Sequence, residues 1–148
     1  MSAAALGFVA STPVSTPGGA RPIAEVSVGD AVHAWSESSG ALVVVSVVET
    51  RVCRANGLYR LLGDGAEVAG CTAGTYVWDA SEDMFRGAGS LSSLTELLVT
   101  DGRGVRRVAL DDALEVGGEA DVHHLRVDGD EGCWFAGGVL VRHFGDRR

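Results

Sequence analysis

Three cysteines and four histidines are the side chains of this 148-residue sequence best suited to chemistry. If the fold brings Cys71 and Cys133 together beside His143, they form a thiol centre or a zinc site, since thiolate and imidazole are zinc's preferred ligands. The spacing argues the other way: Cys53, Cys71 and Cys133 lie far apart with no CxxC pair, so buried, inert cysteines are the preferred account. No metal site and no cofactor is expected. His123 and His124 are consecutive, so in a strand their side chains face opposite sides and cannot hold one ion. The acidic run DGDE at residues 128–131 suggests calcium by composition but lacks the spacing of a calcium loop, and a solvated turn explains it. Trp134 and Phe135 are also adjacent; one ring must face outward unless both faces of its strand are covered. An outward ring there is a candidate contact for a partner protein.

The background in which these groups sit is acidic. Twelve basic against twenty acidic residues leave a net charge of −8, which repels phosphate backbones unless a local basic patch offsets it. The only candidate clusters, Arg103 with Arg106 and Arg107, and Arg142 with Arg147 and Arg148, are neither dense nor interleaved with aromatics. Nucleic acid is therefore not an expected partner. No 18-residue apolar run crosses a membrane, and the first ten residues lack the basic region of a secretion signal. With an odd cysteine count, the reading is a soluble protein of a reducing compartment, cytoplasmic or held within a protein assembly.

The elements that must position these groups are strands. Residues 41–55, ALVVVSVVETRVCRA, are too rich in β-branched residues to favour helix. Their near-continuous apolar stretch from Leu42 to Val48 predicts burial on both faces, or a strand passing between two sheets. Gly63-Asp64-Gly65, Asp101-Gly102 and Asp128-Gly129 each lie between extended runs and signal hairpins. Gly29-Asp30 marks a turn, with Asp30 expected to fix it through a side-chain-to-backbone hydrogen bond. The exception is residues 89–98, GSLSSLTELL, where Leu91, Leu94, Leu97 and Leu98 are spaced for a helix after a serine-rich start. Turn signals every 8 to 12 residues and 21 glycines predict one compact all-β domain of many short, mostly antiparallel strands.

The opening, GFVASTPVSTPGGARPIAEVSVGDAV at residues 7–32, resembles the first block of the Hint superfamily, which contains inteins and hedgehog autoprocessing domains. That block runs nucleophile, aromatic, Thr-x-Val-x-Thr, a glycine turn, Pro-Ile, an acidic residue and Val-Gly-Asp-x-Val. Phe8, Thr12, Val14, Thr16, Gly18, Gly19, Pro22, Ile23, Glu25, Val26, Val28, Gly29, Asp30 and Val32 fit it at their offsets. Residues 122–143 are similar to the closing block: a strand, a turn, an aromatic, Gly-Gly, a β-branched strand and a polar pair. The resemblance implies a horseshoe-like Hint fold over residues 7–143, with residues 1–6 as a short extension and 144–148 as a tail.

It also implies a chemistry. In the family a Cys or Ser at the first position attacks the preceding carbonyl to give a thioester or ester. A central Thr-x-x-His assists the departure of the amide nitrogen, and a final His-Asn pair releases the other end. In this chain those positions are Gly7 for the nucleophile, Thr72 and Thr75 for the central Thr and His, His124 where an Asp is frequent, and Arg142 and His143 for the last pair. A hydrogen side chain attacks nothing, and a threonine hydroxyl is no acid or base near neutral pH. Cys133 is no substitute for the internal cysteine with which some inteins begin: it lies past the expected strand position, and Phe144 follows where a second nucleophile is needed. If the sequence is the whole gene product, six residues before Gly7 leave almost nothing to splice; if it is an excised piece, that argument lapses. The expectation is a degenerate Hint domain, unable to splice or cleave itself, serving as a structural or protein-interaction module, for example in a virion, with a protein partner. The alternative is an autoprocessing domain that performs the N-terminal acyl shift, or one in which Gly7 replaces a cysteine removed to trap the precursor.

Overall fold

The computed structural model of the chain describes residues 6–129 and 132–142. Their chain order is β1 (Phe8–Val9), β2 (Pro13–Val14), β3 (Arg21–Pro22), β4 (Ala31–Ser36), β5 (Ala41–Gly63), β6 (Ala66–Cys71), β7 (Tyr76–Asp79), β8 (Met84–Gly87), β9 (Glu96–Thr100), β10 (Val105–Val127), β11 (Cys133–Ala136) and β12 (Val139–Arg142). Two single turns of 3-10 helix, Ile23–Glu25 and Ala88–Ser90, complete the set. Every pairing is antiparallel, and the strands join in the order β3-β2-β11-β12-β9-β10-β1-β6-β5-β4, with β7 and β8 attached to β12. The chain is all-β, as its turn spacing predicts. No helix among the described residues is long and apolar enough to cross a membrane.

Two 23-residue strands, β5 and β10, form the backbone of the molecule and pair from Gly63 opposite Leu110 to Val47 opposite Val127. Register shifts after Leu110, Glu115 and Arg126 interrupt the ladder, and such bulges bend a long ribbon. The bend lets different parts of each strand serve different partners: β5 pairs with β4 at one end and β6 at the other. β1 slots between β10 and β6, so that Phe8 faces His123 on one side and Cys71 on the other. The largest core contains Phe8, Ile23, Leu61, Leu97, Leu125 and Trp134. A second contains Trp78, Leu98, Cys133, Phe135 and Leu140, and a small third one Ala55, Leu58 and Val122.

The hairpins at Asp64-Gly65 and Asp101-Gly102 join β5 to β6 and β9 to β10 as expected. Asp30 accepts the Ser27 N–H at 2.8 Å and fixes its turn. Three expectations fail. Asp128-Gly129 does not head a hairpin, because β11 pairs with β12 and β2 instead of β10; Asp128 accepts the Ser46 N–H and closes the end of β5. Residues 89–98 form no α-helix, and only the 3-10 turn Ala88–Ser90 overlaps their start. Ser92 and Thr95 exchange hydrogen bonds in a turn, and β9 then sends Leu97 into the first core and Leu98 into the second, an alternation only a strand allows. The valine run of β5 is not buried on both faces: Val44 and Val48 are exposed. For the aromatics of β11 the covered-strand case holds: Trp134 and Phe135 are both 0% exposed because a core lies on each side.

Candidate functional site

The first turn of the chain and the β6–β7 connection meet at Gly7. Its N–H donates to Oγ1 of Thr75 at 3.1 Å, and its carbonyl accepts the Thr72 N–H at 3.1 Å. The Thr72 and Thr75 hydroxyls are 2.7 Å apart. Both threonines are buried and sit on the turn that follows Cys71, a turn closed by the Thr75 N–H on the Thr72 carbonyl. Two backbone groups of Gly7 are thus matched by one hydroxyl and one amide, which fixes the Leu6–Gly7 peptide against the β6–β7 turn.

Gly7 is glycine for a steric reason as well. Its φ is +140°, and a Cβ built there meets the His123 carbonyl oxygen at 2.5 Å and the carbonyl carbon at 2.9 Å. The obstacle is strand backbone, paired through Phe8 and His123, so it cannot swing aside as a side chain would. Any side chain at position 7 must move either β1 or β10.

The remaining positions surround this junction. His124, half-buried, lies edge-on to Trp134 with ring centroids 6.4 Å apart, and Trp134 in turn meets Phe8 edge-on at 5.3 Å. Arg142 ends β12 opposite Tyr76, the residue after Thr75; its guanidinium lies 5.2 Å from the Phe85 ring centroid, a cation–π contact. His143 lies outside the described residues. Gly7, Thr72 and Thr75 are therefore in direct contact, while His124 and Arg142 make their own contacts with aromatic rings.

Cys71 and Cys133 do not share a site. β11 alternates, so Cys133 enters the second core, where its thiol donates to the Trp35 carbonyl at 3.4 Å, while Cys71 belongs to the first core. Burial pushes the Cys71 thiol up to about 12, which leaves it protonated and unreactive near neutral pH. Among the described residues no group of three His, Cys, Asp or Glu side chains is arranged to hold a metal ion.

Two contacts have no signal in the sequence. The exposed Cys53 thiol lies 3.8 Å from the carbonyl oxygen of Leu6, the carbonyl that precedes Gly7. Ser15 and His33, eighteen residues apart, bring Oγ and Nδ1 to 2.7 Å. Only the pairing of β5 with β10 and the packing of β4 against the segment after β2 create these proximities.

Neither a family sequence model nor a curated protein sequence matches the chain. Solved structures do. A bacterial intein-like domain from Clostridium thermocellum superposes with a TM-score of 0.79 at 24% identity, over 95% of this chain and 100% of that one. A DnaB intein from Synechocystis sp. PCC 6803 gives 0.83 at 16% identity, over 95% and 99%. The gp41-1 intein gives 0.68 at 19% identity, over 95% and 100%. These likenesses extend over nearly the whole of each chain, and the chain has the Hint fold of inteins.

Proposed function

We propose that this Hint-fold domain has lost self-splicing and self-cleavage and works as a structural or protein-interaction module, bound to a protein partner in a larger assembly such as a virion. The observation that carries the reading is Gly7. Its position is closed to a side chain by the His123 carbonyl, so the scaffold has settled around the absence of a nucleophile. Thr75 supports it: its hydroxyl accepts the Gly7 N–H, whereas cleaving that bond requires a group that gives the nitrogen a proton. A hydroxyl with no acidity near pH 7 holds the amide without activating it.

The test is a Gly7→Cys variant tagged at both ends and incubated with dithiothreitol. The expected outcome is an intact chain. Thiol-dependent cleavage between Leu6 and residue 7 after that single change overturns the reading, since neither the closed position nor Thr75 then blocks the chemistry. The assembly is tested by the size at which the native protein migrates; a 15.3 kDa monomer in its source extract argues against it.

One contact favours the alternative, an autoprocessing domain. Cys53 holds a thiol 3.8 Å from the Leu6 carbonyl oxygen, while Thr75 holds the nitrogen of the same peptide bond. Attack by Cys53 would form a sulfur–carbon bond to Leu6, break the Leu6–Gly7 bond and place the thiol proton on the Gly7 nitrogen. Hydroxylamine would then release residues 1–6 from Cys53. A wild-type protein that loses those six residues in hydroxylamine, and a Cys53→Ala variant that does not, would establish this reading; an unchanged wild-type mass removes it.

A further inference from the structure

A nucleophile and a base also meet away from the Gly7 junction. Ser15 follows β2, and its Oγ lies 2.7 Å from Nδ1 of His33 on β4. Two backbone bonds hold the pair in place: the His33 N–H donates to the Ser15 carbonyl at 2.9 Å, and the Ser15 N–H donates to the Phe135 carbonyl of β11 at 3.3 Å. His33 is 9% exposed, and burial lowers its pKa, so the imidazole is neutral near pH 7. With the proton on Nε2, Nδ1 accepts from the serine hydroxyl, which is the arrangement that activates a serine.

Ser15 also lines a cleft of about 480 Å³, within the range of small-molecule sites. The wall is polar. Ser11, Thr12, Thr16 and Thr100 line it, together with the carboxylate residues Glu67 and Asp101, and no cationic residue does. Thr12 is 2% exposed, and its Oγ1 has no hydrogen-bond partner among the described residues. That oxygen is itself closed to solvent, so it backs the wall and does not line its open face.

We propose that Ser15 is the acyl acceptor of a hydrolytic site in this cleft, with His33 as its base, acting on small polar carboxylic esters that are neutral or cationic. Ser15 Oγ bonds to the ester carbonyl carbon as its proton passes to His33 Nδ1. The carbon–oxygen bond to the alcohol then breaks, and the departing alkoxide takes the proton from His33. Water repeats the two steps on the acyl-serine, giving the carboxylic acid and restoring the Ser15 hydroxyl. The carboxylates on the wall disfavour anionic substrates and set the charge preference.

The experiment treats the full chain with a biotinylated fluorophosphonate, which bonds covalently to activated serines with loss of fluoride, and maps the adduct by peptide mass spectrometry. The expected result is one adduct, on Ser15, formed in the native protein and absent after unfolding in urea. His33→Gln slows its formation about a hundredfold, and Ser15→Ala abolishes both the adduct and the hydrolysis of p-nitrophenyl acetate. No adduct on Ser15 overturns the proposal, and identifies the pair as a hydrogen-bonded clamp between β4 and the β2 segment. Equal labelling of native and urea-unfolded wild type overturns it as well, a comparison that depends on no variant folding.

Discussion

β11 and the first half of β5 are both apolar, and the protein uses them in opposite ways. β11 is a four-residue strand, Cys-Trp-Phe-Ala, no member of which is more than 2% exposed. It has β12 on one edge and β2 on the other, with the first core against Trp134 and Ala136 and the second against Cys133 and Phe135. β5 begins with Ala-Leu-Val-Val-Val, yet Val44 is 57% exposed, and Val48 and Val52 are exposed farther along. Its early residues pair with β4, which ends the strand order. Burial here follows the number of layers that cover a strand, and two strands of similar hydropathy differ because one lies between cores.

That contrast sets the largest expected effect. Trp134→Ala removes a ring that packs edge-on against Phe8 and His124, and should cost about 3–5 kcal/mol in urea denaturation. A loss below about 1 kcal/mol would mean that β11 is not the centre of the fold. Cys71 offers a second probe of the same interior, through pH. Its folded pKa of about 12 stands above the 9.0 of an exposed thiol, so above pH 9 the unfolded chain releases a proton that the folded chain keeps. Stability from this group is fully present below pH 9 and falls as pH rises toward 12, by up to a few kcal/mol. Relative to wild type, Cys71→Ala should therefore lose its disadvantage as thermal unfolding is followed from pH 8 to pH 11; a constant gap would place the thiol in contact with water.

The Gly137-Gly138 turn between β11 and β12 gives the next effect. Gly137 has a φ of +60°, and a Cβ there runs into the Glu67 carbonyl oxygen of β6. The same turn donates the Gly137 N–H to Pro13 and accepts the Glu67 N–H and, through Gly138, the Thr100 N–H. Gly137→Ala should destabilise by about 2–3 kcal/mol, from the strained φ and the displaced backbone together. Recovery of full stability would show that β6 can yield at this point.

The contrast also explains which features were legible. Turn pairs such as Asp64-Gly65 and Asp101-Gly102 are local chemistry, and they join neighbouring strands as antiparallel hairpins. The Gly137-Gly138 pair sits where backbone meets backbone closely, against Glu67 and Thr100. What composition cannot carry is how many layers cover a strand. The valine run of β5 and the aromatic pair of β11 are both apolar over consecutive residues, and only the order of strands assigns one to the surface and the other to the interior. The leucines of residues 91–98 are ambiguous for the same reason: a spacing of three and four suits a helix, but two cores on opposite faces of β9 require the alternation of a strand. At the Gly7 junction the sequence carries the residue types, whereas the blocking carbonyl belongs to His123, 116 positions away, and needs the β1–β10 register.

The smallest effect isolates layer coverage from residue type. Val44→Thr keeps the β-branched shape and strand preference while placing a hydroxyl where water already reaches, opposite His33 on β4; stability should stay within about 0.5 kcal/mol of wild type. The identical exchange at Val141 on β12, 0% exposed and part of the first core, puts a hydroxyl among apolar side chains and should cost about 1–3 kcal/mol. Both valines sit in antiparallel strands and both replacements conserve volume, so strand propensity cancels between them. The gap in urea midpoint is then a direct reading of how much the covering layers contribute. Equal costs at the two positions would mean that a further layer covers Val44 in solution, and that the open face of β5 is in fact an interface.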